Sequence, residues 1–303
     1  MDKFILFLKG IFMGAADIIP GVSGGSIALI TGIYDDFIGA IHSININVLK
    51  EILKGNIVKG IKLIQWEFLI PIGLGILTAI FSMARLMHFF LEEYTLYTWS
   101  VFFGLIVASA YIISKQFEMN INRAISLIIG GVISFIIVGL VPVNTPNAYW
   151  FLFIAGVIAI SAMILPGISG AFLLLIMGKY HYITGMIKDP FVGENILGLI
   201  AVGLGCIVGI LSFSRVLKFV LDRWHSGTMA FLTGMMIGSL RKIWPYKETL
   251  ETKLIDGELF VMKEKLVTPW SVDGFVISLV FMVIGFLVII VLDKVANRNK
   301  LSS

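Results

Sequence analysis

The chain has 303 residues, of which 58% are hydrophobic and 14% charged, with a net charge of +4 and a mean hydropathy of +0.98. Such a balance excludes a soluble globular protein, and the small positive surplus is no nucleic-acid signal. The single cysteine, Cys206, excludes an intramolecular disulfide and reads as a packing residue.

In chain order, a first apolar arm over residues 4–17 runs into the break Pro20-Gly21-Val22-Ser23-Gly24-Gly25-Ser26, and a second arm covers 24–41. No cleavable signal peptide is expected, because the stretch from Phe4 lacks a small-residue cleavage site. From Asn45 to Gln65, Lys50, Lys54, Lys59 and Lys62 alternate with Val48, Leu49, Ile52, Leu53, Ile57, Val58 and Ile61. That segment reads either as an amphipathic helix on an anionic leaflet, weak at Gly55 and Gly60, or as an ordinary basic loop. Apolar runs over 68–91, 96–114 and 124–141 are long enough to cross a bilayer. A second broken pair, 148–163 and 170–187, surrounds Pro166-Gly167-Ile168-Ser169-Gly170-Ala171. Runs over 196–221, 228–243 and 273–292 follow. Before the last of them, the loop at 244–270 alternates loosely around Asp256-Gly257, a signal for a small β-hairpin serving as a cap or spacer.

The two halves correspond. Pro20, Gly21, Ser23, Gly24, Gly32 and Tyr34 fall on Pro166, Gly167, Ser169, Gly170, Gly178 and Tyr180, an offset of 146. Farther on, Gly73, Gly75, Ser82, Arg85, Phe89, Gly104 and Ser109 fall on Gly203, Gly205, Ser212, Arg215, Phe219, Gly234 and Ser239, an offset of 130. The expected fold is therefore an all-α polytopic membrane protein built from two repeats, 1–145 and 146–303. Arms of about 14–18 residues rise about 21–27 Å, short of a core about 30 Å thick, so each broken pair reads as a re-entrant hairpin. A hairpin plus three spans is an odd number of crossings and inverts the second half. The lysines and arginines at 3, 9, 50–62, 115, 123, 223, 294, 298 and 300 then lie inside with both termini, as the positive-inside rule favours. Arg241 and Lys242, abutting the outer end of a span, stand against it.

Three features bear on chemistry. Small residues after Pro-Gly in each break (Ser23, Gly24, Gly25, Ser26; Ser169, Gly170) either cradle an anion on backbone N–H groups or let helices pack closely. Arg85 and Arg215 each precede a span-ending acid (Glu92, Asp222) by about 10 Å of helix, where an arginine either faces a cavity as a phosphate ligand or snorkels. Asp17, whose counterpart is Met163, is a candidate for proton or cation coupling, or a cap for the broken helix. Asp35, Asp36 and the histidines at 42, 88, 181 and 225 sit near span ends and read as interfacial. No phosphate loop and no metal-ligand spacing is present, so neither ATP-driven chemistry, a metal nor a cofactor is expected.

Gly14-Ala15-Ala16-Asp17-Ile18-Ile19-Pro20-Gly21-Val22-Ser23-Gly24-Gly25 and Pro166-Gly167-Ile168-Ser169-Gly170 resemble the motifs of the polyprenyl-phosphate translocases of the PopT type, formerly a domain of unknown function. The resemblance spans essentially the whole chain. It implies a flippase that returns undecaprenyl phosphate from the outer to the inner leaflet of the bacterial cytoplasmic membrane, for reuse in cell-wall polymer synthesis, and that is not an enzyme. The expected partners are that lipid and the anionic bilayer, with no nucleic acid; a homodimer is compatible with the sequence. The undecaprenyl-diphosphate phosphatases are similar in their duplicated halves and Pro-Gly-x-Ser-like breaks. Their motif, however, has an arginine after the serine, where Gly24 and Gly170 stand here, and paired glutamates ahead of the break, where Asp17 stands alone. A transporter of a small soluble anion is a third reading.

Overall fold

The computed structural model describes residues 2–18, 23–255, 258–269 and 274–301. Pro20, Gly21 and Val22 of the first break, and Asp256-Gly257 of the hairpin turn, lie outside the described residues. Thirteen helices and one two-stranded sheet are present among the described residues, and the chain is a helical, multi-pass membrane protein. Among the described residues three helices are long and apolar enough to cross a membrane, or four if one bent pair counts as a span.

The chain begins with α1 (Lys3–Asp17), capped by the Asp2 carboxylate on the Phe4 N–H. Beyond the first break lie α2 (Gly24–Ile30) and α3 (Tyr34–Ser43), and beyond the second, which α9 (Tyr149–Ile164) enters, lie α10 (Gly170–Ile176) and α11 (Tyr180–Lys188). The arms expected to be continuous over 24–41 and 170–187 are each cut in two. The cause is one glycine apiece in the left-handed region, Gly32 (φ 67) and Gly178 (φ 63). Each ends its helix with a paired closure, Gly32 N to Leu29 O with Ile33 N to Ala28 O, and Gly178 N to Leu175 O with Lys179 N to Leu174 O. Across Gly178 the chain turns by 109°.

The basic insert forms two short helices, α4 (Ile46–Leu53) and α5 (Ile57–Lys62), parted at Gly55 (φ 83). Gly60, expected to be a second weak point, stays within α5. Leu53, Ile57, Val58 and Ile61 are exposed, an apolar face suited to a leaflet surface.

The long helices are α6 (Trp66–Glu93), α7 (Thr95–Ser114), α8 (Ile121–Ile137), α12 (Asn195–Ile243) and α13 (Phe275–Leu301). The runs expected at 196–221 and 228–243 are the two segments of α12, parted where Trp224 leaves helical geometry (φ −137, ψ 50). α8, at 17 residues, is shorter than the expected 124–141 run because the helix ends at Val138, before Gly139.

The long helices pack as four pairs, α1 on α6, α9 on the first part of α12, α7 on α13, and α8 on the second part of α12. Glycines make the seams. A Cβ on Gly75 would overlap the Phe7 carbonyl oxygen and one on Gly10 that of Ile72; Gly205 meets Phe153, and Gly156 meets Val202, in the same way. Gly104 against Met282 and Gly285 against Val101 likewise match Gly234 against Leu127 and Gly130 against Phe231. Such close backbone approach maximises van der Waals contact where no hydrophobic drive exists between helices in lipid. Buried hydroxyls along the seams, Ser100, Ser109, Thr233 and Ser239, bond back to carbonyls three or four residues earlier.

Between α12 and α13, β1 (Lys247–Ile255) and β2 (Glu258–Leu266) form an antiparallel hairpin. Trp244 Nε1 donates to Val267 O at 3.2 Å, and the Tyr246 hydroxyl bonds Ser278 of α13, tying the hairpin to the helix ends.

The seams yield a direct test. Gly75→Ala and Gly205→Ala should each lower stability by about 1–3 kcal/mol, the usual cost of overpacking. Gly73→Ala and Gly203→Ala, whose Cβ would meet nothing within 4 Å, should be neutral or stabilising. Thermal unfolding of the purified protein in detergent reads the difference.

Candidate functional site

The two breaks meet inside the protein. Ser23, extended at φ −131 and ψ 148, caps α2 by accepting from the Ser26 N–H at 3.4 Å. The same hydroxyl donates to Leu165 O at 2.9 Å, across 142 residues of sequence. Ser26 Oγ accepts from the Gly167 N–H at 3.1 Å, and the Tyr34 hydroxyl donates to Ile164 O at 3.1 Å. Ser23 and Ser26 are wholly buried, and Ile33, Ile164, Ile168, Met235 and Met236 of the main apolar core are buried as well.

Glycines are required for this contact. A Cβ on Gly25 would overlap the Ile164 carbonyl oxygen, and one on Gly170 would lie 2.5 Å from Ala159 O. Gly167 adopts φ 86, and its Cβ would lie 2.9 Å from both Met235 O and Ser239 Oγ. The small residues therefore serve packing first, and their backbone N–H groups are presented only where no side chain covers them.

The two helix starts differ in that respect. The Gly24 N–H donates to Asp17 Oδ1 at 2.7 Å, so a carboxylate of the chain itself occupies the anion position at the start of α2. At α10, Ser169 is the N-cap, buried, and its side chain makes no capping bond. Met163 stands where Asp17 would correspond, its Cγ 2.6 Å from a Cβ on Gly170. The start of α10 thus lacks the internal anion that α2 has.

Arg85 on α6 and Arg215 on α12 are exposed, and no hydrogen bond or ion pair holds either guanidinium among the described residues. The structure brings together Asp17, Ser23, Gly24, Gly25 and Ser26 with residues 163–167 of the second break, places Ser169 and Gly170 just beyond, and joins neither arginine to them by hydrogen bond. His225 and Asp35, read as interfacial, pair at 3.2 Å and connect the α12 interruption to the start of α3. The side chain of His88 lies outside the described residues.

Several residues were not singled out by sequence. Lys9 Nζ donates to Thr31 O at 2.8 Å, a cation at the C-terminal end of α2. At the corresponding carbonyl of α10, Met177 O, the donor is instead Thr145 Oγ1 at 2.5 Å. Lys179 is 2% exposed and donates to Thr145 O at 2.7 Å and Asn147 Oδ1 at 2.5 Å. Tyr34 carried a signal in its alignment with Tyr180. Lys179 and Thr145 carried none, because their roles arise from the 139–148 connection folding back over α10.

Comparison with known proteins adds an independent line. A family model described as undecaprenyl phosphate translocase-like matches residues 13–258. The chain is 38% identical to a polyprenyl-phosphate transporter of Vibrio cholerae serotype O1, over 98% of each chain. It is 31% identical to a polyprenyl-phosphate transporter of Staphylococcus aureus, over 98% of this chain and 99% of that one. No solved structure matches.

The interlocked breaks predict separable effects. Ser26→Ala leaves the buried Gly167 N–H without an acceptor and should cost about 1–3 kcal/mol. Asp17→Ala should cost about 0.5–2 kcal/mol as a lost helix-start acceptor, whereas Asp17→Asn, which keeps an oxygen for Gly24 N–H, should cost less. Denaturation midpoints in detergent, with leaflet exchange measured on the same preparations, check the order.

Proposed function

The chain belongs to the undecaprenyl phosphate translocase-like family, and from that premise we propose that it moves undecaprenyl phosphate from the outer to the inner leaflet of a bacterial cytoplasmic membrane, by alternating access between two inverted halves. The observation that carries this reading is the interlock of the two helix breaks, with one helix start filled by Asp17 and the other free of any side-chain cap. A phosphate headgroup suits a break of that kind, because the backbone N–H groups at a helix start favour an anion. The prenyl chain would stay in lipid.

Seam contacts that recur at constant offsets support the duplication, and an odd number of crossings per half, as expected from the sequence, would invert the second half. In this reading both termini are cytoplasmic and the loop at 244–270 is external. Arg85 then lies toward the outer leaflet and Arg215 toward the inner, and each offers a bidentate guanidinium to a phosphate arriving from its own face. Ser23, Gly24, Gly25, Ser26, Ser169 and Gly170 are the proposed phosphate-binding residues at the centre. Asp17 is the group that a bound phosphate at the first break must displace or that must be protonated when it binds.

Hydrolysis is the weaker reading. Phosphoryl cleavage needs charge stabilisation and proton transfer at phosphorus. Gly24 and Gly170 supply no side chain, and the one nearby carboxylate, Asp17, is engaged with a backbone N–H.

Reconstitution in liposomes carrying labelled undecaprenyl phosphate tests the proposal by scoring leaflet exchange and free phosphate together. Exchange without phosphate release is expected; release would make the protein a phosphatase. Arg85→Ala and Arg215→Ala should each slow exchange by about ten-fold or more, the scale of one charge-assisted hydrogen bond. Wild-type rates in both would remove the arginines from the mechanism.

A further inference from the structure

At the hairpin end of the molecule two lysines share one carboxylate, with an arginine beside them. Lys242, near the end of α12, places Nζ 3.1 Å from Glu264 Oε2, and Lys247, at the start of β1, reaches the same oxygen at 3.7 Å. Lys242 Nζ lies 5.1 Å from the Phe172 ring centre, and Lys247 Nζ 4.4 Å from that of Trp99. The neighbouring Arg241 packs over Phe135 at 4.4 Å and donates to its carbonyl oxygen at 3.1 Å. Among the described residues, Glu264 is the one acid paired with either lysine.

This arrangement is costly as a purely structural device. The side chains of Lys247, Lys242 and Glu264 are only 11%, 21% and 28% exposed, so two ammonium groups are largely out of water with a single counter-charge. Burial pushes the Lys247 ammonium down to about 8, with Lys242 acting in the same direction and Glu264 opposing. A well-packed apolar residue over Trp99 would avoid that desolvation cost. The placement also runs against the positive-inside tendency in the proposed topology. A cluster disfavoured on both counts and short of one anion is suited to receiving one.

Its position fits. Phe172, beneath Lys242, is the third residue of α10, the helix whose start lacks a side-chain cap. We propose that Lys242 and Lys247, with Glu264 as an exchangeable internal counter-ion, form a capture site for the phosphate monoester headgroup of a polyprenyl phosphate at the outer face, ahead of the helix breaks. The proposal rests on the transport reading above. The incoming phosphate replaces Glu264 as acceptor of both ammonium groups, and no bond is made or broken.

The test uses the full chain in nanodiscs, with farnesyl phosphate, farnesol and inorganic phosphate as probes. Wild type should bind farnesyl phosphate and not farnesol. Lys242→Met with Lys247→Met should weaken that binding by about ten-fold or more, the scale of lost charge-assisted hydrogen bonds. Lys242→Arg with Lys247→Arg should restore most of it and guards against a folding artefact. Glu264→Gln is decisive: removal of the competing carboxylate should tighten binding, whereas a merely architectural ion pair would loosen with it. Unchanged binding in the double Met variant, or weaker binding in Glu264→Gln, would overturn the site. Equal binding of inorganic phosphate and farnesyl phosphate would overturn the lipid source. Lysine-dependent binding without leaflet exchange in wild-type liposomes would keep the site and remove the transport reading.

Discussion

Backbone polar groups freed inside an apolar medium must find partners, and here each helix break answers the other. Leu165 and Ile164 present carbonyls that helix geometry no longer uses, and Ser23 and Tyr34 donate to them. Gly167 presents an N–H, and Ser26 accepts it. Water is absent from a bilayer core, so an unanswered group there costs several kcal/mol. Setting the two breaks against each other satisfies these groups within the protein. The glycines are where they are because the crossing leaves no room for a Cβ at Gly25, Gly167 or Gly170.

This constraint explains what could and could not be read from the chain. Helix locations follow from apolar runs, and the broken pairs from Pro-Gly in apolar surroundings, so both were legible. The hairpin was legible from its alternation, and the strands pair as Lys247 with Leu266 through Ile255 with Glu258. The cut at Gly32 and Gly178 was not foreseen, although both glycines stood in the alignment. A glycine in an apolar helix is usually tolerated, and only the backbone closure marks these two as helix ends. The division of α12 was legible from its two apolar runs, and the departure from helix between them is a single residue, Trp224.

The site was legible as chemistry and not as geometry. Serines and glycines after Pro-Gly are the right residues to hold an anion, yet Ser23 and Ser26 spend their hydroxyls on the opposite break. Asp17 was open between coupling and capping, and its bond to the Gly24 N–H is the capping one. Corresponding positions solve the same problem with different residues: Lys9 at Thr31 O in one half, Thr145 at Met177 O in the other. Long-range partners of that kind leave no periodicity or spacing behind, which is why residue pattern alone could not find them.

The same bonds set the scale for any alternation between the halves. Among the described residues three hydrogen bonds cross between the breaks, Ser23 to Leu165, Tyr34 to Ile164 and Gly167 to Ser26. At about 0.5–1.5 kcal/mol net each, they hold this arrangement by roughly 1.5–4.5 kcal/mol relative to one in which they are replaced. A ligand can shift such an equilibrium only by its differential affinity for the two arrangements, and a few kcal/mol is within the reach of one phosphate with charge-assisted hydrogen bonds. If the halves alternate as proposed, the latch is therefore strong enough to keep the centre closed without substrate and weak enough for a headgroup to open. A second carboxylate in place of Met163 would fill both helix starts with internal anions and oblige the phosphate to displace one at each break. In the proposed cycle, the asymmetry between Asp17 and Met163 would let two otherwise matching breaks act at different moments.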